Sequence, residues 1–186
     1  MCARNDDLPN LEFPIATADK VTILGVTINN KLTWSDHISR ALLECNQRFY
    51  ILRKLKSYVE EEEPKLIYEA LIRSLVEYAS PCFVGLPNNL EKRLQRIDKR
   101  ARKIIYSDRS IAIDASLGLK QRREEASKKL FLSIAKSKPH ILFKYIPKRL
   151  KHSQKFNIKY TRTTKYQKSF FPWTALLLNS CLFTES

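Results

Sequence analysis

The residues best placed to do chemistry are four basic side chains on one predicted helix. Arg93, Arg96, Arg100 and Lys103 recur at spacings of three and four, so in a helix they share one face. Such a row neutralises phosphates without reading a base sequence. A solvated face of an amphipathic helix has the same pattern. At this stage both interpretations, a phosphate-contacting surface and a solvated face, stay open.

Acidic and nucleophilic residues form no recognisable catalytic set. The run Glu60 to Glu63 directly precedes Pro64, which is typical of a solvated helix start. Asp6-Asp7 lies in a polar N-terminal stretch, and Asp36-His37 is typical of a helix start with a surface histidine. The sequence contains no nucleotide-binding glycine loop and no nucleophile elbow. We therefore expect no enzyme, and a site assembled only by folding is the least favoured alternative.

The net charge of +15 is concentrated in the later part of the chain. Residues 1–63 carry 8 basic and 10 acidic side chains, whereas residues 64–186 carry 26 basic and 9 acidic ones. A field this positive attracts polyanions, of which nucleic acid is the usual partner and an anionic membrane the alternative. We expect weak nucleic-acid binding and no membrane association.

Cysteine and histidine usage predicts neither a metal site nor a disulfide framework. The four cysteines and three histidines are dispersed along the chain, without the short spacings of zinc ligands. The N-terminal residues lack the apolar run of a signal peptide, and no apolar stretch reaches the roughly 20 residues of a membrane span. These observations predict an intracellular protein without a bound cofactor.

Hydrophobic periodicity predicts a mainly α-helical fold. Residues 20–28 are rich in β-branched side chains and indicate a strand ending at Asn29-Asn30, in which Gly25 indicates a bulge or a close backbone approach. Leu11, Phe13 and Ile15 alternate and could add a short strand. Helices are predicted over residues 35–58, with Ser35 as cap, and over residues 64–79, 90–106, 120–136 and 140–145.

The predicted architecture is a bundle of four to five packed helices around residues 64–79, with a short N-terminal β-hairpin and an irregular basic C-terminal arm. Its boundaries are residues 1–33, 34–147 and 148–186. Because residues 64–79 are apolar around most of the helix, we expect Leu71→Asp or Leu75→Asp to unfold the protein.

The arm combines positive charge with aromatic rings. Residues 148–169 contain eight Lys or Arg residues, His152 and no acidic residue. Such a combination suits stacking on a nucleic acid, although the aromatics can equally pin the tail to the helices, as we expect of the apolar patch near Trp173. The rings are Phe156, Tyr160, Tyr166, Phe170 and Phe171.

Five segments, in order over residues 20–173, resemble the region after the catalytic palm of non-LTR (LINE-type) retrotransposon reverse transcriptases. The first runs from Val21 through Leu24-Gly25-Val26 to Trp34 and His37-Ile38. The others are Glu77-Tyr78-Ala79-Ser80-Pro81, the helix from Leu94 through Arg96 and Lys99-Arg100-Ala101 to Ile105, Leu119 with Arg122-Arg123, and Ser169-Phe170-Phe171-Pro172.

The resemblance implies the end of the palm, the thumb and the connection beyond it. Leu24, Gly25 and Val26 then correspond to a hairpin that supports the primer end, residues 34–147 to a thumb-like domain that packs on template–primer duplex, and Arg93 to Lys103 to a phosphate-contacting surface. The family's Mg²⁺-binding palm aspartates, carried on an aromatic-Ala-Asp-Asp strand upstream of Leu24, are absent. Trp173 to Asn179 also departs from the family's polar ending.

The resemblance therefore predicts a fragment of a transposable-element polymerase that is catalytically incompetent alone. We expect weak, sequence-independent binding to RNA or DNA duplex. The alternative is a non-enzymatic helical module that binds a protein partner.

Overall fold

The computed structural model describes residues 18–58, 63–106, 118–151, 155–159 and 161–181. They form a mainly helical fold with one short antiparallel hairpin at the N-terminal end, as the sequence predicts. The strands are β1 (Lys20–Ile23) and β2 (Val26–Asn29). The helices are α1 (Ser35–Lys56), α2 (Glu63–Tyr68), α3 (Ser74–Glu77), α4 (Asn88–Tyr106), α5 (Leu119–Lys136), α6 (Thr164–Gln167) and α7 (Phe170–Cys181).

The hairpin reverses direction at Leu24-Gly25, between β1 and β2. Both turn residues have positive φ, 48° and 79°, as a two-residue turn matched to the twist of the strands requires. The prediction of one continuous strand over residues 20–28 is therefore wrong, because the chain turns at Leu24-Gly25, whereas the short hairpin expected at Leu24, Gly25 and Val26 is confirmed. The possible strand at residues 11–15 lies outside the described residues.

Helix α1 buries one stripe of apolar side chains against the rest of the bundle. The residue before its first turn is Trp34, which makes no side-chain capping bond, so the prediction of Ser35 as cap is wrong. Asp36 instead accepts a hydrogen bond of 2.6 Å from the side chain of Asn29 at the end of β2. The stripe consists of Ile38, Ala41, Leu42, Cys45, Phe49 and Leu52, all buried.

The second predicted helix is one helical segment with a wider turn in its middle. Helix α2 passes through a π-helical turn, Glu69–Arg73, into α3. The segment buries Tyr68, Ile72 and Val76, and these residues join the main core cluster. Leu71 and Leu75 are only partly buried and pack against that cluster, so they border the core instead of filling it.

Helices α1, α2, α4 and α5 surround the main core, to which α4 contributes Leu90, Leu94, Ile97 and Ala101 and α5 contributes Leu119. A loop at Gly85 leads into α4. Gly85 has φ +75°, and a Cβ atom there would lie 2.9 Å from the carbonyl oxygen of Lys168. Only glycine fits this approach.

The C-terminal part of the chain packs on α5 through a second apolar cluster. Phe131 on α5, Phe156 in the arm and Ala175 on α7 form its buried centre, so the predicted docking of the apolar tail is confirmed. The arm also contains a bridge between Arg149 and Phe156. A 3-10 helix (Ile141–Tyr145) precedes it. Helix α7 is a regular element that the sequence pattern indicated only as an apolar patch.

Candidate nucleic-acid interface

Both acidic residues of α4 point toward neighbouring helices. Glu91 is paired with Arg123 of α5, whose side chain is almost completely buried. Asp98 accepts a hydrogen bond from the Tyr68 hydroxyl and lies 3.0 Å from Nε of Arg102. Burial, with the adjacent Asp98, holds the pKa of Tyr68 well above its ordinary value, so the phenol keeps its proton and donates it. The carboxylates are thus neutralised away from solvent.

The outer face of α4 consequently carries basic residues and no acidic one. Arg93 on this face is half-buried. The exposed basic residues are Lys92, Arg96, Lys99, Arg100 and Lys103. Gln95, also exposed, is uncharged. A helix with seven basic and two acidic residues therefore presents almost all of its positive charge, and none of its negative charge, on one side.

Two of the four predicted arginine and lysine residues also fasten α4 to α1. Arg93 Nη2 donates to Ser39 Oγ at 3.1 Å, and Arg100 Nη1 donates to Asn46 Oδ1 at 3.1 Å. The Arg100 guanidinium also lies 4.9 Å from the centre of the Phe49 ring. Both hydrogen bonds join residues 54 positions apart. The constant offset shows that the two helices run parallel where they touch.

Arg96 and Lys103 have a different environment. Both are exposed, and within the described part of the chain neither makes an ion pair or hydrogen bond. Since Arg93 and Arg100 are partly committed to α1, Arg96 and Lys103 are the pair whose charge is fully available to an external anion. The four predicted residues therefore do share one side of α4. Two of them bind α1, and the other two make no contact of this kind.

Helix α1 carries exposed aromatic and basic residues that the sequence pattern did not single out. Tyr50 is 65% exposed, and Lys54 Nζ lies 5.9 Å from the centre of its ring. Arg53 is exposed and follows Asn46 by seven residues, so it continues the edge of α1 that faces α4. In the sequence, these residues stand out only as polar positions beside the buried stripe of α1. That pattern does not show which helix packs beside this edge.

The hairpin residues of the resemblance lie at a separate place. Leu24 is 85% exposed at the tip, whereas Val26 is buried. The Tyr78 hydroxyl donates a 2.7 Å hydrogen bond to the Leu24 carbonyl oxygen, and the ring edge of Tyr78 lies 3.5 Å from where a Cβ of Gly25 would be. No hydrogen bond or ion pair within the described ranges joins this tip to the basic face of α4.

Arg122 and Arg123, from the fourth resembling segment, hold the bundle together. Arg122 makes two hydrogen bonds to the Glu77 carboxylate, of 2.5 and 3.0 Å. Arg123 pairs with Glu91. Adjacent arginines on α5 therefore tie it to the end of α3 and to the start of α4, so they position the basic face and are not available to bind a ligand.

The thiol of Cys45 is another buried titratable group of the interior. Burial raises the pKa of the Cys45 thiol to about 11, so it stays protonated and unreactive near neutral pH. Among the residues that the structure describes, no cluster of three or more His, Cys, Asp and Glu side chains could hold a metal ion. None of the described helices is both long enough and apolar enough to span a membrane.

Comparison of the chain with protein-family models, with curated proteins and with solved structures finds no match.

Proposed function

We propose that this chain is a non-catalytic nucleic-acid-binding module that holds a duplex by its phosphates along the outer face of α4. The observation that carries the proposal is the sorting of charge on that helix, in which Glu91 and Asp98 are paired inward while the basic residues remain outside. Phosphate contact needs no base recognition, so the binding is weak and independent of sequence.

The resemblance of the sequence to the thumb and connection of non-LTR retrotransposon reverse transcriptases supports the same function. The thumb of such an enzyme packs on a template–primer duplex, and α1, α4 and α5 occupy the corresponding segments of this chain. The palm strand with its paired aspartates has no counterpart in the sequence. We therefore propose that the chain polymerises nothing by itself and binds no catalytic Mg²⁺.

The test is the salt dependence of duplex binding by the purified chain. We expect the logarithm of the association constant to fall linearly with the logarithm of salt concentration, because each phosphate contact releases condensed counterions. The double variant Arg96→Gln/Lys103→Gln should bind on the order of tenfold more weakly and lower that slope by about 1.8, two contacts of about 0.9 each. Neither side chain holds the fold.

The matched control is Lys129→Gln/Lys136→Gln, which removes the same charge from exposed positions on α5. A control that weakens binding as much as the α4 variant would reduce the interaction to net charge and contradict a specific face. No retention of the chain on duplex at low salt would also contradict the proposal. A primer-extension assay with Mg²⁺ tests the catalytic part, for which any templated extension would be the opposing result.

A second candidate function, a helical module that binds a protein, is favoured by the hairpin. Val21 and Ile23 on β1 are half exposed, and Leu24 at the tip is almost completely so. A two-stranded hairpin with an apolar exposed face is marginal in water unless another element covers it. If Val21→Thr/Ile23→Thr changes neither duplex binding nor stability while α4 charge removal also has no effect, this candidate replaces the first.

A further inference from the structure

A cleft with a volume of about 420 Å³ lies on the C-terminal part of the molecule, away from α4. Its lining comes from Tyr145 at the end of the 3-10 helix, the two sides of the arm near Lys148 and Asn157, Tyr166 of α6, and the first turn of α7. That volume falls within the usual range for pockets that enclose a small ligand, roughly 300–1,000 Å³.

The walls of the cleft are held in place by hydrogen bonds. The Asn157 N–H donates to the Lys148 carbonyl oxygen at 2.8 Å, which closes the arm on itself. The side-chain amide of Asn179 on α7 accepts from the Phe156 N–H at 2.8 Å and donates to the Phe156 carbonyl at 3.0 Å. Phe156 in turn packs edge-on against Phe131 of α5 at 5.1 Å. The cleft is thus preformed by the second core cluster.

Aromatic rings line this cleft and remain accessible. Tyr145 and Tyr166 are 55% and 54% exposed. The ring of Tyr145 lies 5.8 Å from that of Phe171, at an interplanar angle of 34°. Exposed aromatic faces in a concave site are the surfaces on which unpaired bases stack, and stacking accepts any base because every base has a π face.

The charged residues on the described lining of the cleft are both lysines. Lys148 and Lys159 are exposed on its lining, and Lys144 Nζ lies 5.1 Å from the centre of the Tyr145 ring. Residues 141–181 contain nine Lys or Arg residues and no Asp or Glu. A ligand with a planar apolar part and a negatively charged part complements both features.

We propose that this cleft binds one unpaired nucleotide of a single-stranded nucleic acid. The base contacts the rings of Tyr145 and Tyr166, and its phosphates face Lys148 and Lys159. This site is distinct from the duplex-binding face of α4, so the two can fail independently. Together they would let one molecule hold a duplex and an unpaired extension of it. The cleft would select the extension because its bases are unpaired.

The experiment measures anisotropy of a labelled oligothymidylate of about eight nucleotides and, separately, of a blunt duplex, with the full chain. Tyr145→Ala/Tyr166→Ala should weaken oligothymidylate binding by about tenfold or more, because the base loses the rings on which it stacks. Duplex binding should not change. Lys148→Gln/Lys159→Gln should lower the salt slope for the single strand by about 1.4, at about 0.7 per contact.

Tyr58→Ala, at a tyrosine outside the cleft that is 84% exposed, is the control. Unchanged melting temperatures would show that the tyrosine and lysine variants fold. Full single-strand affinity in the tyrosine variant would overturn the proposal, as would an equal loss on single strand and duplex. A competition experiment with a glutamate–tyrosine copolymer gives a further test. If the copolymer displaces the oligonucleotide from the wild-type protein but not from the tyrosine variant, the proposal is overturned, because the ligand would then be an acidic peptide. A variant of α4 that loses duplex binding and keeps single-strand binding tests only the proposed function and leaves the proposal for the cleft unaffected.

Discussion

Tyr78, at the end of α3, donates a hydrogen bond to the backbone carbonyl of Leu24 at the tip of the hairpin, 54 residues earlier. The contact joins the first and the second of the segments that resemble reverse transcriptases. Since Leu24 has positive φ at 48°, a conformation that non-glycine residues rarely adopt, an external hydrogen bond to its carbonyl helps to hold the turn. The orientation of the hairpin on the bundle thus depends on a residue of the helical domain.

Removing that hydroxyl should loosen the hairpin with little effect on the bundle. Tyr78→Phe keeps the ring beside Gly25 and loses only the hydrogen bond, so we expect a loss of about 0.5–1 kcal/mol at this half-exposed site. Amide hydrogen exchange should accelerate at β1 and β2 while α1 keeps its protection. Tyr50→Phe, at another exposed tyrosine, is the control and should leave the exchange of the hairpin unchanged.

The buried pair of Arg123 and Glu91 should be costly to break and cheap to replace. Arg123→Ala leaves the Glu91 carboxylate buried without its partner, for which we expect a loss of about 3–5 kcal/mol in urea unfolding. The double variant Glu91→Leu/Arg123→Met should recover most of that stability, because it removes both charges. A double variant as unstable as Arg123→Ala would show that the pair contributes more than mutual neutralisation. Arg40→Ala, which breaks an exposed pair with Glu44, should cost only about 0.3–0.5 kcal/mol.

The centre of the second helical segment should be more sensitive at Ile72 than at Leu75. Ile72 is completely buried, whereas Leu75 is partly so. Ile72→Ala should therefore lower the free energy of unfolding by about 2–5 kcal/mol through the cavity it leaves, and Leu75→Ala by less. The same ranking applies to charge, so Ile72→Asp should be more damaging than Leu71→Asp. Equal losses at Ile72 and Leu75 would contradict the assignment of the core face.

Stability should decline below about pH 6.5 because of His37. This side chain is buried between the rings of Trp34 and Phe83, so the expectation of a surface histidine is wrong. Burial, assisted by Arg40 and opposed by Glu44, lowers its pKa from the ordinary 6.5. The folded protein then binds a proton less readily than the unfolded chain, so acid favours unfolding. The stabilising contribution is complete above the unfolded pKa and is lost as the pH falls toward the folded one.

His37→Phe tests this pH dependence, because phenylalanine fills the same aromatic site without titrating. The free energy of unfolding in urea should become flatter between pH 7.5 and pH 5 than in the wild-type protein, at about the same value near neutral pH. An unchanged slope in the His37 variant would assign the acid sensitivity to other groups.

Local sequence signals were enough for the helices with a regular stripe and not for the contacts between them. The stripes on α1 and α4 follow from spacing alone, so their ranges were predicted to within two residues. Helix α7 was missed because Phe170-Phe171-Pro172-Trp173 is apolar on every side, although Pro172 in its first turn was a usable signal. The wider π-helical turn at Glu69–Arg73 leaves no recognisable mark in the sequence.

The candidate interface was predictable in part for the same reason. The row from Arg93 to Lys103 is a local pattern. Which of its residues bind α1 depends on Ser39 and Asn46, which are far away in the sequence. The cleft was even harder to predict from the sequence. Tyr166 and Phe171 were noted as aromatics of a basic arm, whereas their convergence with Tyr145 depends on how Asn179 anchors Phe156.

The constant offset of 54 residues between α1 and α4 also limits how the length of the chain can vary. One residue inserted between Ser39 and Asn46 would rotate the rest of α1 by about 100°. Asn46 would then leave Arg100, and the buried stripe beyond it would turn out of the core. A gain or loss close to seven residues, two full turns, would restore the rotation but move Asn46 by about 10 Å along the axis, so both contacts would return only with a matching change in α4. Insertions and deletions inside these two helices should therefore be tolerated far less than substitutions on their outer faces.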